Sequence, residues 1–267
     1  MTSFAVHPFL TGLALTFGVS MALFVLSWLV AVGVGRYNVV DVVWGSSFIA
    51  TAVTSFLWSA GHGDEWRRIL VLDLVVIWGG RLSVYIGVRS HGKGEDPRYD
   101  EMLGDGPKKA LRALGMVFVL QAVVAWFISL PLQAAMYIRS GWSVLAFVGA
   151  AVWLVGMFFE TVGDAQMGAF RNDPANKGQV MDRGLWRYTR HPNYFGDATV
   201  WAGLYLIAAE HWIGALTIAS PVLMAWFLSF KTGKPLLEKQ MAATKPGYAD
   251  YIKRTSGFFP LPPKPTH

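Results

Sequence analysis

A run of cations and aromatic residues leads directly into an apolar stretch in the last third of the chain. It reads Gly-Leu-Trp-Arg-Tyr-Thr-Arg-His-Pro-Asn-Tyr-Phe-Gly-Asp over residues 184–197. Pro192 suits the first turn of a helix, where its missing N–H is no loss. The free backbone N–H groups of that turn would then lie beside Arg190 and His191, a combination that binds phosphate or carboxylate groups. With Trp186 available to stack on a flat ring, the run predicts a site for a phosphorylated or carboxylated ligand, and a lipid headgroup would fit as well.

Several ionisable residues lie inside stretches that are otherwise apolar. Charged side chains are costly in a bilayer, so such residues are functional candidates by default. They are Asp41, Asp73, Arg81, Glu160 and Asp164. The alternative is that they make polar contacts between helices, as Asp73 and Arg81 would two turns apart.

Arg81 lies eight residues before the end of its apolar stretch, which is too deep for simple snorkelling to the interface. Trp78, Arg81, Tyr85 and Arg89 follow helical spacing and share one face. A ladder of arginine and tyrosine suits a phosphate or carboxylate ligand that enters from one end of the helix.

A second helical face carries acidic and basic groups together. Glu160, Asp164 and Arg171 share this face where the chain leaves an apolar stretch and reaches Asp173-Pro174. Two interpretations stay open for this segment, a ligand site and an ion-pair network that closes the helix exit.

The composition is that of a membrane protein. Hydrophobic residues make up 54% of the 267 residues and charged residues only 15%, whereas soluble domains have about 25% charged residues. The chain has no cysteine, which excludes disulfides, thiolate metal sites and cysteine nucleophiles. No metal site is predicted.

Seven apolar stretches are long enough to approach the roughly 20 residues that a membrane helix needs. They are 10–33, 40–60, 69–88, 113–137, 142–163, 193–210 and 212–230. Backbone groups in lipid must be satisfied within the segment, so each stretch should be helical. The prediction is an all-α integral membrane protein of about seven transmembrane helices, with residues 1–267 forming a single polytopic domain.

The distribution of lysine and arginine predicts the orientation. With the N-terminus outside, 19 of the 23 cations lie in inner loops and the tail, and three lie in outer segments. The positive-inside rule therefore favours an N-out, C-in arrangement. The basic net charge is accounted for in this way, and no nucleic-acid partner is predicted.

The 184–197 run also resembles the C-terminal signature of the membrane steroid 5α-reductase family, in its bacterial branch. It is similar to the Arg-His-x-Asn-Tyr-x-Gly-Asp motif of sterol C14 and C7 reductases. The resemblance extends upstream to Asp164 and Phe170-Arg171, and downstream to Lys234-x-x-x-Glu238 and Lys245-Pro-Gly-Tyr248-x-x-Tyr251.

This resemblance implies a seven-helix reductase whose cytoplasmic loops close over a cavity for NADPH. An apolar substrate, a steroid or another lipid-like enone, would enter from the lipid bilayer, and a bacterial inner membrane is the expected location. Carried over position by position, the residues that bind the cofactor would be Arg81, Asp164, Arg171, Trp186, His191, Asn193, Tyr194, Asp197, Lys234 and Glu238.

The sequence departs from that of the steroid 5α-reductases at the catalytic positions. Steroid 5α-reductases polarise the substrate carbonyl with a glutamate on the second helix and a tyrosine on the third, where this chain has Trp44 and Trp78. Asp41 and Tyr85 are the substitute catalytic pair that we predict. Burial disfavours a charged carboxyl, so Asp41 could stay protonated and donate to the enolate oxygen while hydride adds to the β-carbon. The alternative is that Asp41 only packs between helices.

Two rival functions remain. An S-adenosylmethionine-dependent methyltransferase of the isoprenylcysteine carboxyl methyltransferase type would share the Arg-His-Pro-x-Tyr turn, but it usually has a Glu-Glu pair where this chain has Leu237-Glu238. A non-enzymatic lipid-binding or scaffolding protein is favoured by the loss of the usual glutamate and tyrosine.

Overall fold

Helices form most of the regular structure in the computed structural model, which describes residues 2–231 and 234–265, without the side chains of residues 231, 234–236 and 240. In chain order they are α1 (Val6–Val34), α2 (Val39–Trp58), α3 (Glu65–Ser90), α4 (Pro97–Leu103), α5 (Lys109–Ile128), α6 (Leu130–Ala135), α7 (Val144–Asn172), α8 (Pro192–Ala208), α9 (Trp212–Phe230), α10 (Lys234–Thr244) and α11 (Tyr248–Arg254). Short 3₁₀ turns lie at Pro174–Asn176 and Gly184–Arg187.

Within the described residues, six helices are long and apolar enough to cross a membrane: α1, α2, α3, α5, α7 and α9. The protein is therefore an integral membrane protein, as its composition predicts. The stretch predicted at 193–210 forms α8, which has 17 residues and is shorter than these six. The count of seven spans and the N-out, C-in orientation stay predictions.

Three boundaries differ from those expected. The stretch 113–137 is interrupted, because α5 ends at Ile128 and α6 begins at Leu130 with a proline in its first turn. The stretch 142–163 continues to Asn172, so Asp164 and Arg171 are still helical. Two unexpected two-residue strands, β1 (Ser3–Phe4) and β2 (Ile138–Arg139), pair antiparallel.

Close contacts divide the chain into two compact units. The first unit holds the chain up to Ser143 together with Ala208–Thr217, and the second holds Val144–Ile207 and the chain from Ile218 onward. The single polytopic domain stays a prediction.

In the first unit, α2 and α3 pack backbone against backbone. A Cβ at Gly45 would come within 2.3 Å of the carbonyl oxygen of Gly79, and a Cβ at Gly79 within 2.6 Å of that of Gly45. Buried Phe48 and Trp78 meet beside this contact, with ring centroids 5.4 Å apart. The contact fixes α2, which carries Asp41, against α3, which carries Arg81.

The opposite end of the first unit contains a buried ion pair. Arg67, which the orientation argument places in an outer loop, is fully buried and lies 2.7 Å from the carboxylate of Glu210. The Arg68 side chain is buried as well, and its Nε donates to the hydroxyl of Ser59 at 2.8 Å. These cations therefore stabilise helix ends and do not face open water.

In the second unit, α7 and α8 meet along a glycine seam, which we define as Gly149, Gly156 and Gly163 on α7 with Gly196 and Gly203 on α8. A Cβ at Gly156 would lie 2.6 Å from the oxygen of Gly196, and a Cβ at Gly203 would lie 2.6 Å from that of Gly149. The members recur every seven residues on each helix, a spacing that keeps small residues on one face. The seam brings the start of α8 against the polar end of α7.

Candidate functional site

The polar end of α7 and the first turn of α8 form a buried polar pair. Asp164 is buried on α7, and its Oδ1 accepts a hydrogen bond from the Asn193 amide at 3.2 Å. Gly163 allows this approach, since a Cβ there would lie 3.1 Å from the ring of Pro192. Buried Glu160 lies one turn before Asp164. The two predicted residues Asp164 and Asn193 are thus brought together by packing of the glycine seam.

Trp186 has a structural role in place of the exposed stacking surface expected for it. Its side chain is only 8% exposed and packs against Phe170 and Met181. Its indole N–H donates to the carbonyl oxygen of Gly163 at 3.0 Å. Trp186 therefore anchors the loop to α7.

Two basic residues of the 184–197 run, Arg190 and His191, converge on Glu238. Arg190 Nε donates to Glu238 Oε1 at 2.7 Å, and His191 Nε2 lies 3.1 Å from the same oxygen. Arg190 also donates to the carbonyl oxygens of Ile252 and Thr255. Arg190 and His191 are both buried. The guanidinium is therefore occupied in holding the tail and is not exposed to an incoming anion.

The ionisation of Glu238 follows from this contact. Burial raises the pKa of its carboxyl, but hydrogen bonds from His191 and Arg190 and the charge of Arg190 outweigh burial and lower the pKa to about 2. Glu238 is thus a fixed anion that orders the loop. Its contacts in this structure are those of a positioning residue, and its predicted contact with a cofactor stays a prediction.

The tail after α11 is pinned to the same loop. The hydroxyl of Thr189 donates to Phe258 O at 2.8 Å, and Leu261 N donates to Tyr188 O at 3.0 Å. The Tyr251 hydroxyl donates to Trp186 O. The C-terminal segment is therefore fastened to the 184–197 loop by hydrogen bonds to main-chain carbonyl groups.

Two cations lie against the ring of Phe170 near the end of α7, and a third is its neighbour in the chain. The charged groups of Arg183 and Lys245 each lie 5.8 Å from the centre of its ring, and Arg171 follows it in the chain. Burial lowers the pKa of Lys245, and the positive charge of Arg171 lowers it further. Like charges are therefore held close together, and an anion bound among them would relieve the repulsion. We call Arg171, Arg183 and Lys245 the Phe170 cation cluster.

The first unit contains a separate polar pair. The Tyr99 hydroxyl on α4 donates to Asp41 Oδ1 on α2 at 2.7 Å. Burial raises the pKa of the Tyr99 hydroxyl well above its ordinary value. Tyr99 therefore stays protonated as a donor. Tyr85, the partner predicted for Asp41, lies on α3 with its ring centre 5.4 Å from the guanidinium of Arg81, and its pairing with Asp41 stays a prediction.

The segment before α4 places Tyr99 in this position. Glu95 accepts hydrogen bonds from the backbone N–H groups of Tyr37 and Asn38, the residues that precede α2. A carboxylate at a helix N-terminus is stabilised by the free N–H groups and the helix dipole. Asp96 then caps α4 by accepting from Arg98 N at 3.0 Å, with Pro97 in the first turn. Two acidic caps thus hold α4 beside α2.

The remaining predicted residues are placed as follows. The Tyr194 ring stacks on the His191 ring, with centroids 5.1 Å apart and planes at 3°. Asp197 lies one turn further along α8. Arg81 and Tyr85 lie together on α3, in the first unit. The Lys234 side chain lies outside the described residues.

Sequence reasoning missed Tyr99, Arg183 and Lys245. Tyr99 and Lys245 lie far along the chain from the residues that they contact: 58 residues separate Tyr99 from Asp41. Only the Asp-Pro start of α4 was a local signal, because it marks a helix that begins shortly after α3.

Comparison with known proteins places the chain in a family. Residues 27–255 match the family described as "Protein of unknown function (DUF1295)". The chain belongs to this family. DUF1295 is the steroid 5α-reductase-like group, in keeping with the resemblance of the 184–197 run.

A relative of this DUF1295 protein occurs in Schizosaccharomyces pombe. It is an uncharacterized protein, 24% identical over 282 residues, and the match covers 95% of this chain and 80% of the relative. No solved structure gives a significant match.

Proposed function

We propose that this DUF1295 protein is an NADPH-dependent reductase that reduces the C=C bond of an apolar enone, such as a Δ4-3-ketosteroid. The observation that carries the proposal is the Phe170 cation cluster, which lies at the end of the same helix as the buried Asp164–Asn193 pair. Three cations near one helix end suit a ligand with several phosphates. When bound, NADPH supplies a hydride for the β-carbon of the enone.

The residues of the second unit fit such a cofactor in distinct ways. Arg171, Arg183 and Lys245 would hold phosphate groups, and the number of cations favours NADPH, with its extra phosphate, over NADH. Asp164 fixes the Asn193 amide in one orientation. Glu238 and its two partners, Arg190 and His191, would keep the loop in place while the cofactor binds and leaves.

The rival cofactor fits less well. S-adenosylmethionine carries a sulfonium cation and no phosphate, so the Phe170 cation cluster would repel part of it. No feature of the described residues favours the methyltransferase specifically.

Asp41 and Tyr99 are the pair that we assign to substrate activation. Tyr99 donates to one carboxyl oxygen of Asp41. A protonated Asp41 would then donate from its other oxygen to the carbonyl of the enone. That hydrogen bond strengthens as negative charge develops on the oxygen during hydride addition. The substrate is lipid-soluble and would come from the bilayer, and the cofactor from the cytoplasm of a bacterial cell.

The test is a thermal-shift titration of the purified full-length protein in detergent with NADPH, NADH and S-adenosylmethionine. A ligand that binds only the folded state raises the melting temperature. We expect a shift with NADPH, a weaker one with NADH, and none with S-adenosylmethionine. The variant R171Q/K245Q should lose the NADPH shift. The control K93Q/K108Q, which removes two exposed lysines from other loops, should keep it.

Three results would contradict the proposal. A shift with S-adenosylmethionine alone would indicate the methyltransferase. An NADPH shift that survives in R171Q/K245Q would remove the Phe170 cation cluster from the site. NADPH binding without oxidation in the presence of any enone would indicate a binding or scaffolding protein.

A further inference from the structure

A second basic feature of the second unit is an open groove of about 600 Å³ between the 182–187 loop and the C-terminal segment. Its basic lining residues are Arg183, Arg187, Arg254 and Lys264, and its acidic one is Asp182. We call it the tail groove. Arg171 and Lys245 are not part of its lining, so it is distinct from most of the Phe170 cation cluster.

The charges in the tail groove are unbalanced. Asp182 forms an ion pair with Arg254 and neutralises it. Arg187 and Lys264 make no ion pair with any described residue, and both side chains are exposed. The groove therefore presents a net positive charge to solvent. An arginine and a lysine that converge in this way suit a phosphate group.

Main-chain contacts build both walls of the tail groove. Leu185 N donates to the side-chain oxygen of Gln166 on α7 at 2.9 Å, which fastens the loop wall to that helix. Lys264 N donates to Arg254 O at 2.9 Å, which closes the tail wall on α11. The two segments that carry the cations are thus held in place by hydrogen bonds to helices α7 and α11.

Apolar side chains are exposed on the same two segments. Tyr188 is 45% exposed, Phe259 65% and Leu261 55%. The groove is attached to α7, one of the six membrane-spanning helices, close to the helix end. Cations beside exposed aromatic and aliphatic groups at such a position are typical of the membrane interface, where the apolar groups enter the acyl region and the cations contact headgroups.

We propose that the tail groove binds the phosphate of an anionic phospholipid headgroup through Arg187 and Lys264, with Tyr188, Phe259 and Leu261 resting in the adjoining acyl layer. The bound lipid would hold the C-terminal segment, and with it the contacts of Arg190 and Thr189, against the bilayer. This site does not depend on the reductase assignment.

The experiment measures lipid retention by native mass spectrometry of the full-length protein in detergent. Dioleoyl phosphatidylglycerol is titrated against dioleoyl phosphatidylcholine for the wild type, for R187Q/K264Q, and for K93Q/K108Q as a charge-matched control. We expect the wild type and the control to retain phosphatidylglycerol preferentially. R187Q/K264Q should bind it more weakly, on the order of tenfold, with an unchanged melting temperature in the absence of lipid.

Three outcomes would overturn the proposal. The first is equal retention of phosphatidylglycerol by R187Q/K264Q and the wild type. The second is an equal loss in the control, which would mean that overall charge governs binding. In the third, inorganic phosphate stabilises the wild type through these two residues while phosphatidylglycerol shows no preference, so the ligand would be a free phosphate compound. NADPH binding is measured on the same variants and should not change. A failure of the lipid proposal can therefore be distinguished from a failure of the reductase proposal.

Discussion

Two carboxylates in this protein have opposite surroundings, although both were candidates from the sequence. Glu238 contacts the guanidinium of Arg190 and the imidazole of His191 through a single oxygen. Asp41 contacts a neutral phenol, that of Tyr99. A carboxylate held by cations is stabilised in its charged form and cannot readily give or take a proton near neutral pH. One whose hydrogen-bond partner is a phenol can do so more readily. The first therefore organises structure, and the second is the better candidate for chemistry.

The largest effect on stability should come from E238Q. This change leaves the buried Arg190 and His191 without their counter-charge, and removing one partner of a buried pair costs about 3–5 kcal/mol. The measurement is thermal unfolding of the detergent-solubilised protein. The control is D250N, because the Asp250–Lys253 pair is exposed, with side chains 68% and 76% accessible, and such pairs contribute little. Equal melting temperatures for E238Q and D250N would contradict a structural role for Glu238.

The same carboxylate predicts a pH dependence. The pKa of Glu238 is about 2 in the folded protein, below the value of about 4.3 for an unfolded glutamate. A lowered folded pKa stabilises the protein above the unfolded value, and this contribution is lost as the pH falls towards 2. Melting temperature measured between pH 5 and pH 3 should fall more steeply for the wild type than for E238Q. Parallel curves would mean that other carboxylates govern the acid transition.

Substitution of Asp41 should have the opposite pattern of effects from substitution of Glu238: a small change in stability and a large change in the rate of reduction. If the reductase assignment holds, D41N should lower the rate of NADPH oxidation with a Δ4-3-ketosteroid by about 10²–10³-fold, the usual loss for one donor to a developing oxyanion. NADPH affinity, measured by thermal shift, should not change. An unchanged rate would make Asp41 a packing residue.

The partner of Asp41 is tested by two tyrosine variants. Y99F removes the hydroxyl that donates to Asp41, so its rate should fall in the same direction as that of D41N. Y85F removes a hydroxyl from the residue that lies beside Arg81, and its rate should fall less. The reverse order would restore the pairing of Asp41 with Tyr85 that the sequence suggested.

Much of the architecture could be predicted because it depends on local composition. The apolar stretches locate most of the long apolar helices to within a few residues. The exceptions are α7, which continues beyond its apolar part to Asn172, and α5, which ends at Ile128 inside the stretch 113–137. Asn193 was recognised because it lies within the 184–197 run, and Asp164 because it is an ionisable residue in an otherwise apolar stretch. Tyr99 and Lys245 were not, since their partners are distant in the chain and no local pattern marks such contacts. Trp186 and Glu238 were identified, but their burial and ion pairing, which decide their roles, depend on the folded structure.

The smallest predicted effect on stability concerns two glycines of α7, one packed against α8 and one with open space beside it. A Cβ at Gly156 would lie 2.5 Å from Val200 N and 2.6 Å from Gly196 O, whereas a Cβ at Gly168 meets nothing within 4 Å. G156A should therefore destabilise the protein by about 1–3 kcal/mol, because α7 and α8 must move apart. G168A should be neutral or stabilise it by up to about 1 kcal/mol, since alanine favours a helix over glycine. Thermal unfolding of both variants gives the comparison. If G156A were as stable as G168A, the glycine seam would not be the contact that brings Asn193 to Asp164.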